Sequence, residues 1–88
     1  MVEREVEVVN AHGIHARPAA EIVKVAGKFA ANITLARDGM DVNAKSIMGV
    51  MMLAAECGST VRIKAEGADA AGAVDALAVL IASRFGES

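Results

Sequence analysis

The sequence predicts an α+β fold, an open-faced two-layer sandwich with a four-stranded antiparallel sheet and three helices on one face. Segments that alternate apolar and polar residues are interleaved with segments of helical spacing, in the order β-α-β-β-α-β-α. These segments are short, which favours an antiparallel sheet with its helices layered on one face. A chain of 88 residues has the size of one domain, and we assign residues 1–88 to it. Because only 2% of the residues are aromatic, the core must depend on close packing of small side chains.

The first half of the chain contains a predicted strand, helix and hairpin. Val2 to Val9 alternates with a period of two, which predicts a half-buried strand. From Ala16 to about Ala30 the spacing is helical, and small residues on that spacing favour close approach to a sheet. Asn32 to Arg37 and Met40 to Asn43 are predicted strands, joined by Asp38-Gly39, a pair typical of tight hairpin turns. The small residues at helical spacing are Ala16, Ala19, Ala20, Val23, Ala26, Gly27 and Ala30.

The second half predicts two helices that flank a strand. Ser46 to about Leu53 is apolar on all sides of the predicted helix. The core should therefore cover one side, including some of the methionines, and the uncovered side is a candidate docking face. Ser46 suits the N-cap position of this helix. Thr60 to Glu66 alternates as a strand, and Asp69 is predicted to cap the last helix. The inward face of that helix is predicted to comprise Val74, Leu77, Leu80 or Ile81, and Phe85.

Composition and charge argue against several classes of function. A net charge of −2 and a pI near 5.6, with so few aromatic rings, argue against nucleic-acid binding. The longest uncharged stretch, Ser46 to Ala55, is far shorter than the roughly 20 residues that span a bilayer, so we expect no membrane insertion. We see no secretory signal at the N-terminus. The single Cys57 fits a reducing compartment, so we expect a cytoplasmic protein.

The segment from Gly13 to Ala20 is the most informative for chemistry. Pro18 favours the first turn of a helix, which places His15 at the helix N-terminus. Unpaired N–H groups and the positive end of the helix dipole favour an anion there, and a neutral His15 ring with a nucleophilic nitrogen. Arg17 adds a planar fork suited to phosphate oxygens. Together these residues predict a phosphoryl-accepting site, and the alternative is an ordinary loop histidine beside a solvated arginine.

Two motifs carry a resemblance to a known family. Gly13 to Ala20 resembles the active-site signature of HPr, the histidine-containing phosphocarriers of the bacterial phosphoenolpyruvate-dependent sugar phosphotransferase system. Val42 to Met51 resembles the second signature, and the resemblance runs over essentially the whole chain, including Ala65 to Ala70. It implies a carrier rather than a self-contained enzyme, with no cofactor. Phosphorylated enzyme I would pass a phosphoryl group to Nδ1 of His15, which would donate it to an enzyme IIA domain, and Arg17 would balance the phosphoryl charge.

The resemblance also implies regulation and a docking face. In many bacteria the serine that matches Ser46 is phosphorylated by the HPr kinase/phosphorylase, and the added charge would weaken acceptance from enzyme I. Partners of the family dock on the first two helices, and we expect a transient contact with a cationic rim of Arg17, Lys24 and Lys45. We expect a monomer, because self-association through this face would block partners. The docking residues implied are Ala16, Ala20, Lys24, Lys45, Ile47, Met48 and Met51.

His12 departs from what we expect of the family at this position. With His15 it forms an H-x-x-H pair, but the sequence supports no third ligand, so we expect no metal site. His12 is predicted to be a loop residue near the site. Two other hypotheses stay open: a regulatory interaction protein that acts mainly through Ser46, and a ferredoxin-like binding module that is never phosphorylated.

Overall fold

The helices and strands follow one another in the predicted order. The computed structural model describes residues 1–87. Its elements are β1 (Val2–Glu7), α1 (Ala16–Ala26), β2 (Asn32–Arg37), β3 (Met40–Asn43), α2 (Ile47–Met52), β4 (Thr60–Glu66), α3 (Ala70–Ala82) and a 3₁₀ turn (Arg84–Gly86). Within this described range, no helix has the length and apolar content needed to cross a membrane.

The four strands form one antiparallel sheet in the order β1-β4-β2-β3. At its centre, Leu35 of β2 pairs with Ile63 of β4 and with Val42 of β3. Alternation along β4 buries Val61 and Ile63 and leaves Arg62 at the surface. The helices pack on the buried face of the sheet. The predicted α+β open-faced sandwich is confirmed.

Aliphatic side chains fill the core between the sheet and the helices. The largest hydrophobic side chains without exposed surface are Ile22, Leu35, Ile63, Leu77 and Ile81. Of the two phenylalanines, Phe85 is buried and Phe29 packs at the margin of the core. Val74, Leu77 and Ile81 form the inward face of α3 as predicted, with Ile81 rather than Leu80 fully buried. Phe85, predicted on the same helix, is buried in the turn after it, because α3 ends at Ala82. The core is therefore mainly aliphatic, with one buried ring, Phe85, and a second ring, Phe29, at its margin.

The first helix differs from its prediction in length and in its buried face. It was predicted to reach about Ala30 and ends at Ala26, followed by a tight turn at Gly27, a residue with low helix propensity. Ile22 is fully buried, whereas Ala16 and Ala20, which share the small-residue spacing, are exposed. Two of the predicted alanines, Ala19 and Ala26, are buried beside Ile22, which contributes the largest aliphatic side chain of this helix to the core.

Asp69 stands at the N-cap position of α3 as predicted, but its side chain does not cap that helix. Its carboxylate accepts hydrogen bonds from the backbone N–H groups of Ala30 (2.8 Å) and Ala31 (2.9 Å). These bonds, led by the one from Ala30, lower the pKa of Asp69. Asp69 therefore ties the segment after α1 to the start of α3.

The second helix buries less of its apolar surface than predicted. Ser46 is its N-cap, as predicted, and its hydroxyl accepts a hydrogen bond from the N–H of Gly49 at 3.1 Å. Val50 is the one buried residue within the helix, and Leu53 is buried just after it. The expectation that some of its methionines lie in the core is wrong, because each of them is exposed. The exposed methionines of the whole chain are Met1, Met40, Met48, Met51 and Met52.

Candidate functional site

His15 lies where a loop held by backbone hydrogen bonds meets the start of α1. The N–H of Ile14 donates to the carbonyl of Ala55 at 2.8 Å, and the N–H of Gly58 donates to the carbonyl of Val8 at 2.7 Å. These bonds fasten the loop before α1 to the segment between α2 and β4. His15 is the N-cap of α1, with extended backbone and no capping bond from its side chain. Its ring is therefore not used to close the helix and is 42% exposed.

A carboxylate from the other end of the fold meets His15 and Arg17. Oε2 of Glu87 lies 2.9 Å from Nε2 of His15. The same oxygen accepts from Arg17, at 2.6 Å from Nη2 and 3.1 Å from Nε. Arg17 Nη2 also donates to the carbonyl of Phe85 at 2.8 Å. The predicted pair of His15 and Arg17 is brought together, and Glu87 joins the two side chains.

Asn10 supports the other oxygen of the same carboxylate. Its Nδ2 donates to Oε1 of Glu87 at 3.0 Å and to the carbonyl of Gly13 at 2.7 Å. Asn10 is fully buried, so its contacts are ordered by the surrounding packing. We call the side chains of Asn10, His15, Arg17 and Glu87 the clasp.

The side-chain carboxyl group of Glu87 stays ionised at neutral pH and down to pH values well below it. Hydrogen bonds from Arg17, then Asn10, with His15 contributing, lower the pKa of Glu87 to about 2. Its side chain is 16% exposed, against 50% for Arg17. The clasp therefore places a fixed negative charge between an arginine and the Nε2 side of the histidine ring.

Sequence reasoning did not find Glu87 or Asn10. Glu87 lies 72 positions after His15, so no local spacing connects the two residues. The one usable signal for Asn10 was a polar residue directly after an alternating strand, at the point where the chain turns back into the core. Both residues enter the site through tertiary packing.

His12 lies close to His15 without sharing its hydrogen bonds. The two ring centroids are 6.0 Å apart, in an edge-to-face arrangement. Among residues 1–87, no group of three or more His, Cys, Asp or Glu side chains is arranged to hold a metal ion. His12 is an exposed loop residue, as the sequence predicts.

The residues predicted for docking are all exposed, on α1 and around α2. Lys45 donates from Nζ to the carbonyl of Phe29 at 2.8 Å, which holds it at the start of α2. In the predicted cationic rim, Arg17 differs from the two lysines because Glu87 balances its charge. We call the following residues the docking surface: Ala16, Ala20, Lys24, Lys45, Ile47, Met48 and Met51.

Comparison with known proteins gives consistent matches over nearly the whole chain. The family model described as the PTS HPr component phosphorylation site matches residues 2–83. The phosphocarrier protein HPr of Cupriavidus necator is 49% identical over 87 residues, which cover 99% of this chain and 98% of that protein. The crystal structure of HPr-C-His from Thermoanaerobacter tengcongensis is 48% identical with a TM-score of 0.96, covering 100% of this chain and 99% of that one.

A crystal structure of an HPr dimer from Thermoanaerobacter tengcongensis is also similar. It is 48% identical with a TM-score of 0.79, covering 99% of this chain and 100% of that one. The family model, the curated relative and the solved structures agree with one another. The chain therefore belongs to the HPr family, the phosphocarriers of the phosphotransferase system.

Proposed function

We propose that this chain accepts a phosphoryl group on Nδ1 of His15 from phosphorylated enzyme I and donates it to enzyme IIA domains. The observation that carries the proposal is the exposed His15 ring at the start of α1, with Arg17 beside it and only Nε2 engaged. Within residues 1–87, no hydrogen bond occupies Nδ1, so its lone pair is available to a phosphorus atom. The protein acts as a stoichiometric carrier, and the partner supplies the rest of the catalytic site.

The transfer needs positioning more than covalent assistance. The Nδ1 lone pair forms the N–P bond while the bond from phosphorus to the donor group of enzyme I breaks, and the proton on Nε2 stays in place. Charge spreads over the phosphoryl oxygens in the transition state. The unpaired N–H groups at the start of α1 and the guanidinium of Arg17 stabilise that charge. In donation, a nucleophile of the enzyme IIA domain forms the new bond to phosphorus while the N–P bond breaks and its electron pair returns to Nδ1.

The docking surface suits partners that bind briefly. Ile47, Met48 and Met51 expose flexible apolar side chains, which adapt to more than one partner. Lys24 and Lys45 add positive charge at the edge, which speeds encounter with acidic surfaces. In this proposal the working form is a cytoplasmic monomer, because a dimer formed through the docking surface would block enzyme I.

The test of the proposal is phosphorylation by the cognate enzyme I with labelled phosphoenolpyruvate. We expect the wild type to acquire an acid-labile, alkali-stable phosphate and His15→Ala to acquire none. The matched control is His12→Ala, which removes the neighbouring imidazole and should keep the label. Label on the His15→Ala variant, or a wild type that takes no label, would contradict the proposal.

Ser46 is the proposed regulatory position, phosphorylated by an HPr kinase/phosphorylase. The residue is half-buried at the N-cap of α2, directly before Ile47 of the docking surface. A phosphoserine carries about −1.5 to −2 charges at neutral pH, and here that charge would stand directly after Lys45, one of the two lysines proposed to attract enzyme I.

The Ser46→Asp variant should therefore accept phosphate from enzyme I several times more slowly than the wild type at low salt. The control is Ser46→Asn, which caps a helix equally well without a charge and should keep the wild-type rate. The initial rate of labelling at low and at high ionic strength measures the effect, which salt should reduce. Equal rates for the two variants would remove the electrostatic basis of the regulation.

A further inference from the structure

We propose that Glu87 is a positioning residue for phosphoryl transfer, which holds His15 in the tautomer protonated at Nε2 and so leaves Nδ1 as the nucleophile. The inference rests on the proposed function, in which His15 is the acceptor. It assigns a role to a residue that lies outside the matched range of residues 2–83.

The carboxylate of Glu87 is itself held firmly. Oε2 receives both Nε and Nη2 of Arg17, and Oε1 receives Nδ2 of the buried Asn10. A carboxylate fixed on both oxygens cannot turn away when the histidine ring rotates. The ring instead adjusts to the carboxylate, at a distance of 2.9 Å from Nε2.

The charge state of Glu87 decides which ring nitrogen carries the proton. Its pKa is lowered to about 2, so near neutral pH the group is an acceptor only. A neutral imidazole has one N–H, and it must face the acceptor, which places the proton on Nε2 of His15. The lone pair then lies on Nδ1. Carboxylates orient reacting histidines in the same way in other sites, where the wrong tautomer is inactive.

The clasp also presents Arg17 in a defined way. Glu87 uses the edge formed by Nε and Nη2, and Nη1 makes no hydrogen bond within residues 1–87. That nitrogen stays available for a phosphoryl oxygen while the guanidinium remains attached. Glu87 therefore fixes the tautomer of the acceptor and the orientation of the group that balances its charge.

The experiment is nitrogen-15 NMR of the His15 ring in the unphosphorylated protein near pH 8. We expect the wild type to show one protonated nitrogen, Nε2, and one unprotonated nitrogen, Nδ1. In Glu87→Ala the two shifts should move toward each other as the second tautomer becomes populated. Glu87→Gln, whose carbonyl still accepts from Nε2, should lie between the two. Glu66→Ala, which removes an exposed carboxylate on β4, should leave the shifts unchanged.

A kinetic measurement connects the tautomer to transfer. Glu87→Ala should lower kcat with enzyme I roughly tenfold, the low end of the loss seen when the group that orients a metal-bound histidine is removed, with Glu87→Gln partly restoring it. Backbone amide spectra show whether each variant is folded. Ring shifts in Glu87→Ala identical to those of the wild type would overturn the inference, even if kcat falls. The ring shifts are measured without enzyme I, so the two proposals can fail separately. A wild type whose His15 is protonated at Nε2 but takes no phosphate would refute the proposed function and leave the role of Glu87 in the tautomer standing.

Discussion

Replacing Gly13 with alanine should destabilise the fold by roughly 3 kcal/mol and displace His15. Gly13 has a φ of +66°, in the left-handed region that side chains disfavour. A Cβ atom there would lie 2.5 Å from the carbonyl oxygen of Ala55 and 2.9 Å from Cα of Glu56. Both neighbours are backbone atoms, so the clash is relieved only if one of the two loops moves.

The displacement should reach the site because Ile14, the next residue, donates to the same carbonyl of Ala55. Urea unfolding followed by circular dichroism measures the loss of stability, and the His15 ring signals measure the displacement. The control is Gly39→Ala, since Gly39 also has a positive φ, +83°, but nothing lies within 4 Å of the added atom. If the two variants lose the same free energy of unfolding, the close approach of Gly13 to Ala55 does not contribute to the loss of stability.

Phe85→Ala should have the second large effect, a loss of about 3 kcal/mol together with opening of the clasp. Phe85 is 5% exposed and lies in a turn where Arg84, Phe85 and Gly86 all have positive φ. Such a conformation persists only when the surroundings hold it, and the buried ring of Phe85 is what holds it here. Its carbonyl is also an acceptor for Arg17.

The matched variant for this prediction is Phe29→Ala, which removes the other phenylalanine from the margin of the core. It should cost less stability and leave the His15 ring signals at their wild-type positions. Chemical unfolding and the ring spectrum of each variant separate the two effects. An unchanged ring spectrum in Phe85→Ala would show that burial of this ring does not hold Glu87 in place.

The strands were predictable because their signals are local. Alternation defines β2, β3 and β4 with the residues that the structure assigns to them, and Asp38-Gly39 forms the turn between two of them. Alternation depends only on neighbouring residues and on which face the core covers.

The buried faces of the helices were harder to predict, because alanine and methionine occur both in protein cores and on protein surfaces. Alanine fits a buried or an exposed position, so spacing alone did not separate the buried Ala19 from the exposed Ala20. The methionines of α2 suggested core, yet the short helix meets the core through Val50 and Leu53. Which side a six-residue helix buries is decided by what it packs against.

One part of the candidate site could likewise be predicted from local sequence signals, and another part could not. His15, Arg17 and Pro18 lie within one turn, so their proximity follows from the helix itself. The approach of Glu87 depends on the turn at Phe85 and on the buried Asn10, which are far apart in the sequence, so no local spacing connects them. The proximity of His15 and Arg17 could be predicted from the sequence, and their shared contact with Glu87 could not.

The clasp joins residues 77 positions apart, Asn10 and Glu87. Contacts this distant in sequence form only after the intervening chain has closed into its fold. An unfolded chain has the same histidine and arginine but no carboxylate beside them. Under the proposed function, the imidazole acquires its oriented state only when both ends of the domain have folded together, so an incompletely folded chain would offer a phosphoryl donor an ordinary histidine.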